Sequence, residues 1–457
     1  MRPAAAETRA DSGDRPRIDR VSGDDLMALA SDGTVRMQVG ATLFLRTPPG
    51  WTPSSLMAAL SGRVLAVRRL RQRLVRLPLG LGRPIWQDMP GFRSEDHLAT
   101  VVCEGGHRGV LDLAADLLVT PLPSDRPLWT ARIVTGFASG EAALVIVLHH
   151  VLADGMAALA ILQELASDAV GEPSRSPSVA PSRIALLGDN LCGRLAGLRE
   201  LPARLVRLAA AVAVLGSRST PAARTSLNRP TGTRRRVLAV ECSLGAARAA
   251  AHAATATIND LALAVIAEGF TGLAASRGER LDHVVISVPV SARRSTDSGS
   301  LGNQVGVLPL SIPAGGERTQ RLRAVAALTA RAKQLPPADS SAILGPGFRW
   351  LAKLGLFRWF TNRQRLVHTF ASNLRGPAEP IRVAGLEVSR IVPLSVTTGN
   401  IAAAFGTFSY AGDLSIVVTV DPDVVPDVGR LESLLREALA AHLAAARSGP
   451  PGAARTD

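Results

Sequence analysis

The chain is poor in aromatic residues and in cysteine. Aromatic residues make up 4% of its 457 residues, so Leu, Val, Ile and Ala must fill the core, and an apolar content of 47% is enough for that. The cysteines, Cys103, Cys192 and Cys242, are far apart and odd in number, which argues against a disulfide framework and a cysteine metal site. We expect them to be small, buried residues in a reducing compartment.

Long apolar runs are also missing. No stretch reaches the roughly 18 consecutive apolar residues that a bilayer-spanning helix needs. The first 17 residues are polar and charged, without the apolar centre of a secretory signal. We therefore expect a cytoplasmic protein that is soluble or peripheral on the inner face of the membrane.

Lysine is nearly absent, yet the chain is strongly basic. Lys333 and Lys353 are the only lysines, and arginine supplies the rest of a formal net charge of +14. This excess reflects either compositional bias of the coding DNA or an anionic partner, such as a membrane surface or the phosphates of a nucleotide-bearing molecule. No nucleic-acid motif and no alternation of aromatic and basic residues is present, so we expect no nucleic-acid partner.

The length favours two domains. We predict a disordered tail over residues 1–20, an N-terminal domain over 21–183, a linker with helices over 184–234, a C-terminal domain over 235–446 and a second tail over 447–457. Strand-like runs and helical periodicity alternate in both domains, which indicates an α/β fold with mixed sheets. Residues 74–90, rich in Pro and Gly, are predicted to be an extended loop.

Two adjacent histidines end an apolar strand. Residues 144–148 are all apolar and are followed by His149 and His150, and then by Asp154 and Gly155 at the start of a predicted helix. A continuous apolar strand is buried on both faces, and adjacent strand residues point to opposite faces. One histidine should therefore lie against the core and make a hydrogen bond, while the other faces a cleft.

This arrangement suits acyl transfer. An imidazole titrates near neutral pH and serves as a general base for a hydroxyl, and a thioester donor is already activated, so no protein nucleophile is required. Asp154 has a simpler alternative role as a helix N-cap. A metal site formed by His149, His150 and Asp154 is disfavoured because the two rings diverge, and we expect no metal and no bound cofactor.

The full His-His-x-x-x-Asp-Gly spacing resembles acyltransferases built like chloramphenicol acetyltransferase, including peptide-synthetase condensation domains. Further segments narrow the resemblance to the bacterial wax ester synthase/diacylglycerol acyltransferase family. The ordered matches run from about residue 21 to about residue 428. These segments are residues 71–76, 79–86, 125–129, 259–260, 289–293, 302–303, 372–373, 376–377 and 409–410.

The resemblance implies roles for the residues of this motif. His150 would be the catalytic base and His149 would support the site from the other side. Asp154 would hold the loop, often by pairing with an arginine, and Arg293 of the Pro-x-x-x-Arg match is the candidate partner. Gly155 completes the motif.

The second-half matches carry further candidates. Asn259 would place a donor near a developing oxyanion, and Ser372 with Asn373 is the other candidate. Asp260 belongs to the family motif, but Thr-Ile-Asn-Asp also predicts a helix cap, so a structural role is favoured. Where the family commonly has Val-Pro-Gly-Pro after Ser-Asn, this chain has Leu-Arg-Gly-Pro, which puts the rigidity of that loop in question. Arg375 would then meet a coenzyme A phosphate or lie in solvent.

The fold implied is two chloramphenicol acetyltransferase-like domains with the active site at their interface. The function implied is esterification of diacylglycerol or a long-chain alcohol, with acyl-CoA as co-substrate, to give triacylglycerol or wax ester. The alternatives are a condensation-type enzyme that uses carrier-protein thioesters and an inactive lipid-binding homologue. Residues 345–365, apolar and basic, either lie on a membrane or lipid-droplet surface or pack on the protein itself.

Overall fold

The computed structural model describes residues 18–23, 25–33, 35–153, 155–166, 180–199, 202, 206, 221–291, 305–334, 351 and 354–448. Within these ranges the strands are β1 (Gln38–Arg46), β2 (Gln72–Val75), β3 (Ile85–Asp88), β4 (Leu98–Val102), β5 (Trp129–Thr135), β6 (Glu141–His149), β7 (Arg236–Ser243), β8 (His283–Ser291), β9 (Val305–Pro313), β10 (Thr369–Arg375), β11 (Arg382–Val383), β12 (Leu386–Leu394), β13 (Ala403–Tyr410) and β14 (Asp413–Val420). The α-helices are α1 (Asp25–Ser31), α2 (Pro53–Ala66), α3 (Gly106–Val119), α4 (Gly155–Ala166), α5 (Arg183–Arg199), α6 (Leu244–Ala253), α7 (Ile258–Ser276), α8 (Arg318–Lys333), α9 (Phe357–Thr361) and α10 (Val428–Ser448). Short 3₁₀ turns cover Arg68–Arg71 and Ser94–Asp96.

Two six-stranded mixed sheets form the framework. The first has the order β11-β12-β1-β6-β5-β4 and the second the order β7-β14-β13-β10-β8-β9. Strand β6 lies inside the first sheet, antiparallel to both β1 and β5, and every residue after Glu141 is buried. Its continuous apolar sequence matches this position, because both faces of the strand are covered. The predicted α/β class with mixed sheets is confirmed.

The two halves of the chain share one sheet. Strands β11 and β12 come from the second half but extend the first sheet, where β12 pairs antiparallel with β1. The first sheet is therefore not built from residues 21–183 alone. Tyr410 stabilises this placement of β11 and β12 in the first sheet. Its hydroxyl donates to the Val388 carbonyl at 2.7 Å and accepts the Ile381 N–H at 2.9 Å.

A shared apolar cluster also joins the halves. Helix α3 packs against β1, β6 and β7. The cluster around it contains Val145 and Val147 of the first half together with Val237 and Val417 of the second. The halves consequently meet over a packed core.

Helix α7 is the central helix of the second half. By length and hydropathy it is the one helix in the described ranges that meets the requirement for a membrane span. However, 67% of the 18-residue apolar stretch that meets it is buried inside the protein. Its apolar side chains belong to the main core cluster, together with Leu435 of α10 and Phe405 of β13. It is a core helix.

Most predicted elements are present, with two differences. Residues 74–90 are not a continuous loop, because β2 and β3 pair there as an antiparallel hairpin. Helices α1 and α6 and strand β4 were not predicted, because their short or alanine-rich sequences show no clear periodicity.

The cysteines are not buried as expected: Cys192 is exposed and Cys103 and Cys242 are half-buried, and all three are free thiols. Burial and neighbouring carboxylates raise the pKa of Cys242 to about 11.

The pairing of β1 with β6 requires a glycine at position 40. A Cβ at Gly40 would lie 2.0 Å from the Ile146 carbonyl oxygen, closer than any real Cβ contact. A side chain there must push the two central strands apart.

We expect Gly40→Ala to lower the free energy of unfolding by about 1–3 kcal/mol, because overpacking displaces backbone. Gly62→Ala is the matched control: Gly62 lies inside α2 with no atom within 4 Å of an added Cβ. The control should gain up to about 1 kcal/mol from helix propensity. Denaturant unfolding followed by circular dichroism measures both, and wild-type stability in Gly40→Ala would contradict the geometry.

Candidate active site

His149 is the buried member of the histidine pair. It ends β6 and is 5% exposed. Its Nδ1 accepts the Val151 N–H at 3.0 Å, so this nitrogen carries no proton. Its Nε2 lies 3.6 Å from Asp32 Oδ2. The prediction that one histidine lies against the core with a hydrogen bond is confirmed, and both ring nitrogens of His149 face partners within the protein.

Asp32 is the carboxylate behind His149. Its Oδ1 accepts the Met37 N–H at 3.2 Å, and Arg36 lies 3.7 Å from Oδ2. Burial alone would raise the pKa of Asp32, but the hydrogen bond and attraction of His149, then Met37 and Arg36, bring that pKa below its ordinary value of 3.8. Asp32 is therefore ionised at neutral pH and holds the His149 tautomer with its proton on Nε2. No sequence motif pointed to Asp32.

His150 lies on the turn between β6 and α4 and is half-buried. Its backbone N–H donates to the Met37 carbonyl at 2.7 Å, and the turn is closed by the Leu152 N–H donating to the His149 carbonyl at 2.8 Å. Met37 thus binds Asp32 with its N–H and His150 with its carbonyl. Gly155 begins α4, whereas Asp154 lies outside the described residues.

The end of β6 lies at the same edge of the first sheet as the end of β12. Strand β1 runs antiparallel to both, and its Gly40 pairs with Val147 of β6 and with Leu394 of β12. The chain therefore leaves β12 at Ser395 about two strand spacings, roughly 10 Å, from the end of β6.

Ser372 lies where the two sheets meet. Its strand partner across β10 and β13 is Gly406. A Cβ on Gly406 would lie 3.4 Å from Ser395 Oγ and 3.6 Å from Ser372 Oγ. Two serine hydroxyls thus flank Gly406 at the junction of the sheets. Ser395 and Gly406 belong to no motif, and no pattern in the sequence pointed to either.

Asn373 lies on the other face of β10 from Ser372, since adjacent strand residues alternate. Its Nδ2 donates to Asn259 Oδ1 at 3.2 Å. Asn259 is in the first turn of α7, which covers the opposite face of the second sheet. The structure therefore brings Asn259 and Asn373 together and separates both from Ser372.

Asp260 caps α7. Its carboxylate accepts the Thr257 N–H at 2.8 Å, the Thr257 side chain accepts the Asp260 N–H, and the helix begins in a complete capping box. The second carboxylate oxygen accepts the Thr329 hydroxyl of α8 at 2.6 Å. Asp260 is 2% exposed, so its contacts are those of the structural role favoured from the sequence.

The loop after β10 is tied to β13. The Gly376 N–H donates to the Ser409 carbonyl at 2.8 Å, and a Cβ on Gly376 would lie 2.6 Å from that same oxygen. This hydrogen bond holds the loop, although the chain has Arg375 where the family commonly has its first proline. Arg375 is exposed. The candidate Arg293 and the matched Gly302-Asn303 pair lie outside the described residues.

The basic apolar segment predicted at 345–365 is described at residue 351 and over 354–365. Trp359 is 58% exposed, and the Arg363 guanidinium lies 5.5 Å from its ring centre. The same segment is bound to the protein, because Arg365 exchanges hydrogen bonds with the Ala222 backbone. These hydrogen bonds fit the alternative in which the segment packs on the protein itself, and contact with a membrane stays a prediction.

Two sequence profiles match the chain. The wax ester synthase/diacylglycerol acyltransferase catalytic domain matches residues 21–262, and the C-terminal domain of the same enzymes matches residues 301–442. The chain belongs to this family. It is an acyltransferase, as the resemblance of its motifs implied.

Relatives agree over nearly the full length. The Mycobacterium tuberculosis protein named "Probable diacyglycerol O-acyltransferase tgs1" is 29% identical over 432 residues, covering 90% of this chain and 92% of that protein. The wax ester synthase/diacylglycerol acyltransferase from Marinobacter aquaeolei VT8 has the same fold, with a TM-score of 0.70 at 19% identity, covering 94% of this chain and all of that one. The first condensation domain of the calcium-dependent antibiotic synthetase aligns with a TM-score of 0.63 at 17% identity, covering 93% and 96%.

The Asp32–His149 contact predicts a pH-dependent loss of stability in this acyltransferase. Because the pKa of Asp32 is lowered on folding, its carboxylate stabilises the native state above its ordinary pKa of 3.8, and that contribution disappears as the pH falls through the lowered pKa. Asp32→Asn should lower the free energy of unfolding by about 1–2 kcal/mol at pH 7. The difference from wild type should shrink below pH 3.8.

Denaturant titrations at pH 7 and at the lowest pH where the native state persists measure this difference. Asp282→Asn serves as the control, since the Asp282 side chain is 87% exposed, and it should change stability by less than about 0.5 kcal/mol. A penalty for Asp32→Asn that stays constant with pH would mean that its charge does not support the His149 turn.

Proposed function

We propose that the protein transfers a fatty acyl group from acyl-CoA to the hydroxyl of diacylglycerol or a long-chain alcohol, with His150 as general base. The observation that carries the proposal is the difference in burial between His149 and His150. Both nitrogens of the His149 ring face partners, Val151 and Asp32, and the ring is buried. His150 is half-buried on the turn after β6, and this greater exposure supports it as the imidazole that meets a substrate.

The chemistry is a direct displacement. His150 takes the proton of the acceptor hydroxyl as its oxygen attacks the thioester carbon. Collapse of the tetrahedral intermediate then breaks the C–S bond, and the coenzyme A thiolate leaves as the thiol with the proton returned by His150. The product is triacylglycerol or a wax ester. No cofactor or metal takes part in this scheme.

Ser372 is our candidate donor for the developing oxyanion. It shares the junction of the two sheets with Ser395, at the edge where β12 ends. The Asn259–Asn373 pair lies on the far face of β10 and is assigned to holding α7 against that strand. A neutral hydroxyl donor aimed at developing charge lowers the barrier without changing its own protonation.

The relatives support the acceptor class, since those in Mycobacterium are named for diacylglycerol and the Marinobacter enzyme for wax ester and diacylglycerol. We place the enzyme in the cytoplasm, where acyl-CoA is made, at the inner face of the membrane or on a lipid droplet. The free thiols of Cys103, Cys192 and Cys242 are compatible with a reducing compartment.

A carrier-protein thioester is the second candidate donor, because condensation domains share this fold. Purified protein, labelled palmitoyl-CoA and separate diacylglycerol and hexadecanol acceptors distinguish the two donors when products are separated by polarity. We expect labelled ester without any carrier protein. Turnover that appears only after a loaded carrier protein is added would overturn acyl-CoA dependence.

We expect His150→Ala to lower kcat at least about 100-fold, in the range of a lost general base, while the unfolding midpoint stays near wild type. His252→Ala removes an exposed imidazole at the end of α6 and should leave both unchanged. Initial rates with palmitoyl-CoA and thermal melts give the two readouts. A His150→Ala protein that retained most of its kcat would refute the assignment of the base.

A further inference from the structure

Among the residues that the structure describes, helix α5 contacts the rest of the protein through one face. On that face Leu186 is buried against Leu81 and Ile85. Arg20 pairs with Asp189 and donates to the Leu186 carbonyl at 3.0 Å. Nearby, Asn190 donates to the Gly80 carbonyl at 2.7 Å.

The opposite face of α5 is an exposed apolar stripe. Its members recur at intervals of 3 or 4 residues and therefore lie above one another along the helix. The exposed fractions are 82% for Ile184, 50% for Leu187, 59% for Leu191, 52% for Leu195 and 63% for Leu198. Soluble proteins rarely leave so continuous an apolar patch in water, and such patches mark interaction surfaces.

Arginines border the stripe. At 3.6 residues per turn, Arg183 and Arg194 fall on one border and Arg199 on the other, and all three are exposed. The acidic residue of the helix, Asp189, is on the attached face and is paired with Arg20. The outward half of α5 is therefore apolar with cationic borders, and it carries no carboxylate.

We propose that the exposed face of α5 is an interfacial membrane anchor that lies in the headgroup region of an anionic phospholipid surface. An amphipathic helix with a leucine face and arginine borders binds in this way, with the apolar face among acyl chains and guanidinium groups at phosphates. With 17 residues α5 is about 25 Å long, so it lies along the surface and does not cross it. The inference rests on the proposed function, because the lipid acceptor and the lipid product of that reaction would be reached from such a surface.

The spacing disfavours a second copy of this chain as the occupant. A two-stranded coiled coil needs apolar residues every seven residues in two positions, and after Leu187 and Leu191 the next seam position is Arg194. The stripe instead repeats over 11 residues, from Ile184 to Leu195 and from Leu187 to Leu198, which does not follow a left-handed supercoil. A flat lipid surface accommodates it.

Vesicle co-sedimentation of the full chain tests the anchor. The probes are vesicles of phosphatidylcholine alone and vesicles with 30% phosphatidylglycerol, at low and high salt. We expect wild type to prefer the anionic vesicles at low salt. The triple variant Leu187→Gln, Leu191→Gln, Leu195→Gln should bind them at least about tenfold more weakly.

The matched control is Leu65→Gln, Val102→Gln, which removes apolar side chains that are 43% and 73% exposed on α2 and β4. It should bind within about twofold of wild type. Arg183→Gln, Arg194→Gln, Arg199→Gln should lose the preference for anionic vesicles and its salt dependence.

Three outcomes would overturn the anchor. The first is that the leucine triple variant binds vesicles as strongly as the wild-type protein does. The second is a wild-type dimer that this variant converts to a monomer, which assigns the stripe to a second copy. The third is a large drop in melting temperature of the same variant, which means that the chain itself covers the stripe.

Turnover measured in parallel with palmitoyl-CoA and a short, water-soluble alcohol separates this inference from the proposed function. Loss of vesicle binding with intact turnover supports the anchor alone. Vesicle binding through α5 without turnover of any acyl-CoA supports the anchor and rejects the proposed acyl-CoA reaction.

Discussion

The antiparallel pairing of β1 with β6 is the constraint on which the candidate site depends. Gly40 lets the two strands approach so closely that any Cβ would collide with the Ile146 carbonyl. Pairing in this register brings the residues just before β1 beside the end of β6. Met37 then binds the His150 N–H with its carbonyl, while its own N–H binds Asp32 behind His149. The histidine turn is thus held from the backbone of the neighbouring strand.

The exchange of β12 into the first sheet converts two similar halves into one site. Through β1, the end of β12 is placed at the edge where β6 ends. From there the Ser395 hydroxyl lies beside Gly406 of the second sheet, and the Ser372 hydroxyl lies beside the same glycine. Tyr410 holds the exchanged strands with both hydrogen-bonding functions of its hydroxyl. A chemical site at this junction needs both halves of the chain.

The sequence predicted what depends on neighbouring residues. The apolar run of β6, the burial of one histidine of the pair and the cap at Asp260 are all local patterns, and the structure contains them. Asp32 and Ser395 were not predicted, because their importance comes from strands that meet far apart in sequence. The hairpin of β2 and β3 was missed for a related reason: Pro and Gly around it signalled turns, but four-residue strands show too little alternation to be recognised.

The alternation of side chains on β10 divides the Ser372-Asn373 pair, which the sequence offered as one candidate donor beside Asn259. Ser372 and Asn373 are neighbours, so only one of them can point toward the first half of the chain. Residues on the Ser372 face, Leu374 and the paired Phe408, belong to the apolar cluster of the first half. Residues on the Asn373 face, such as Ala371, pack with α7 in the second core. A donor that acts together with His150, on the turn after β6, would lie on the first of these faces, which favours the serine and leaves the asparagine pair to fix the helix.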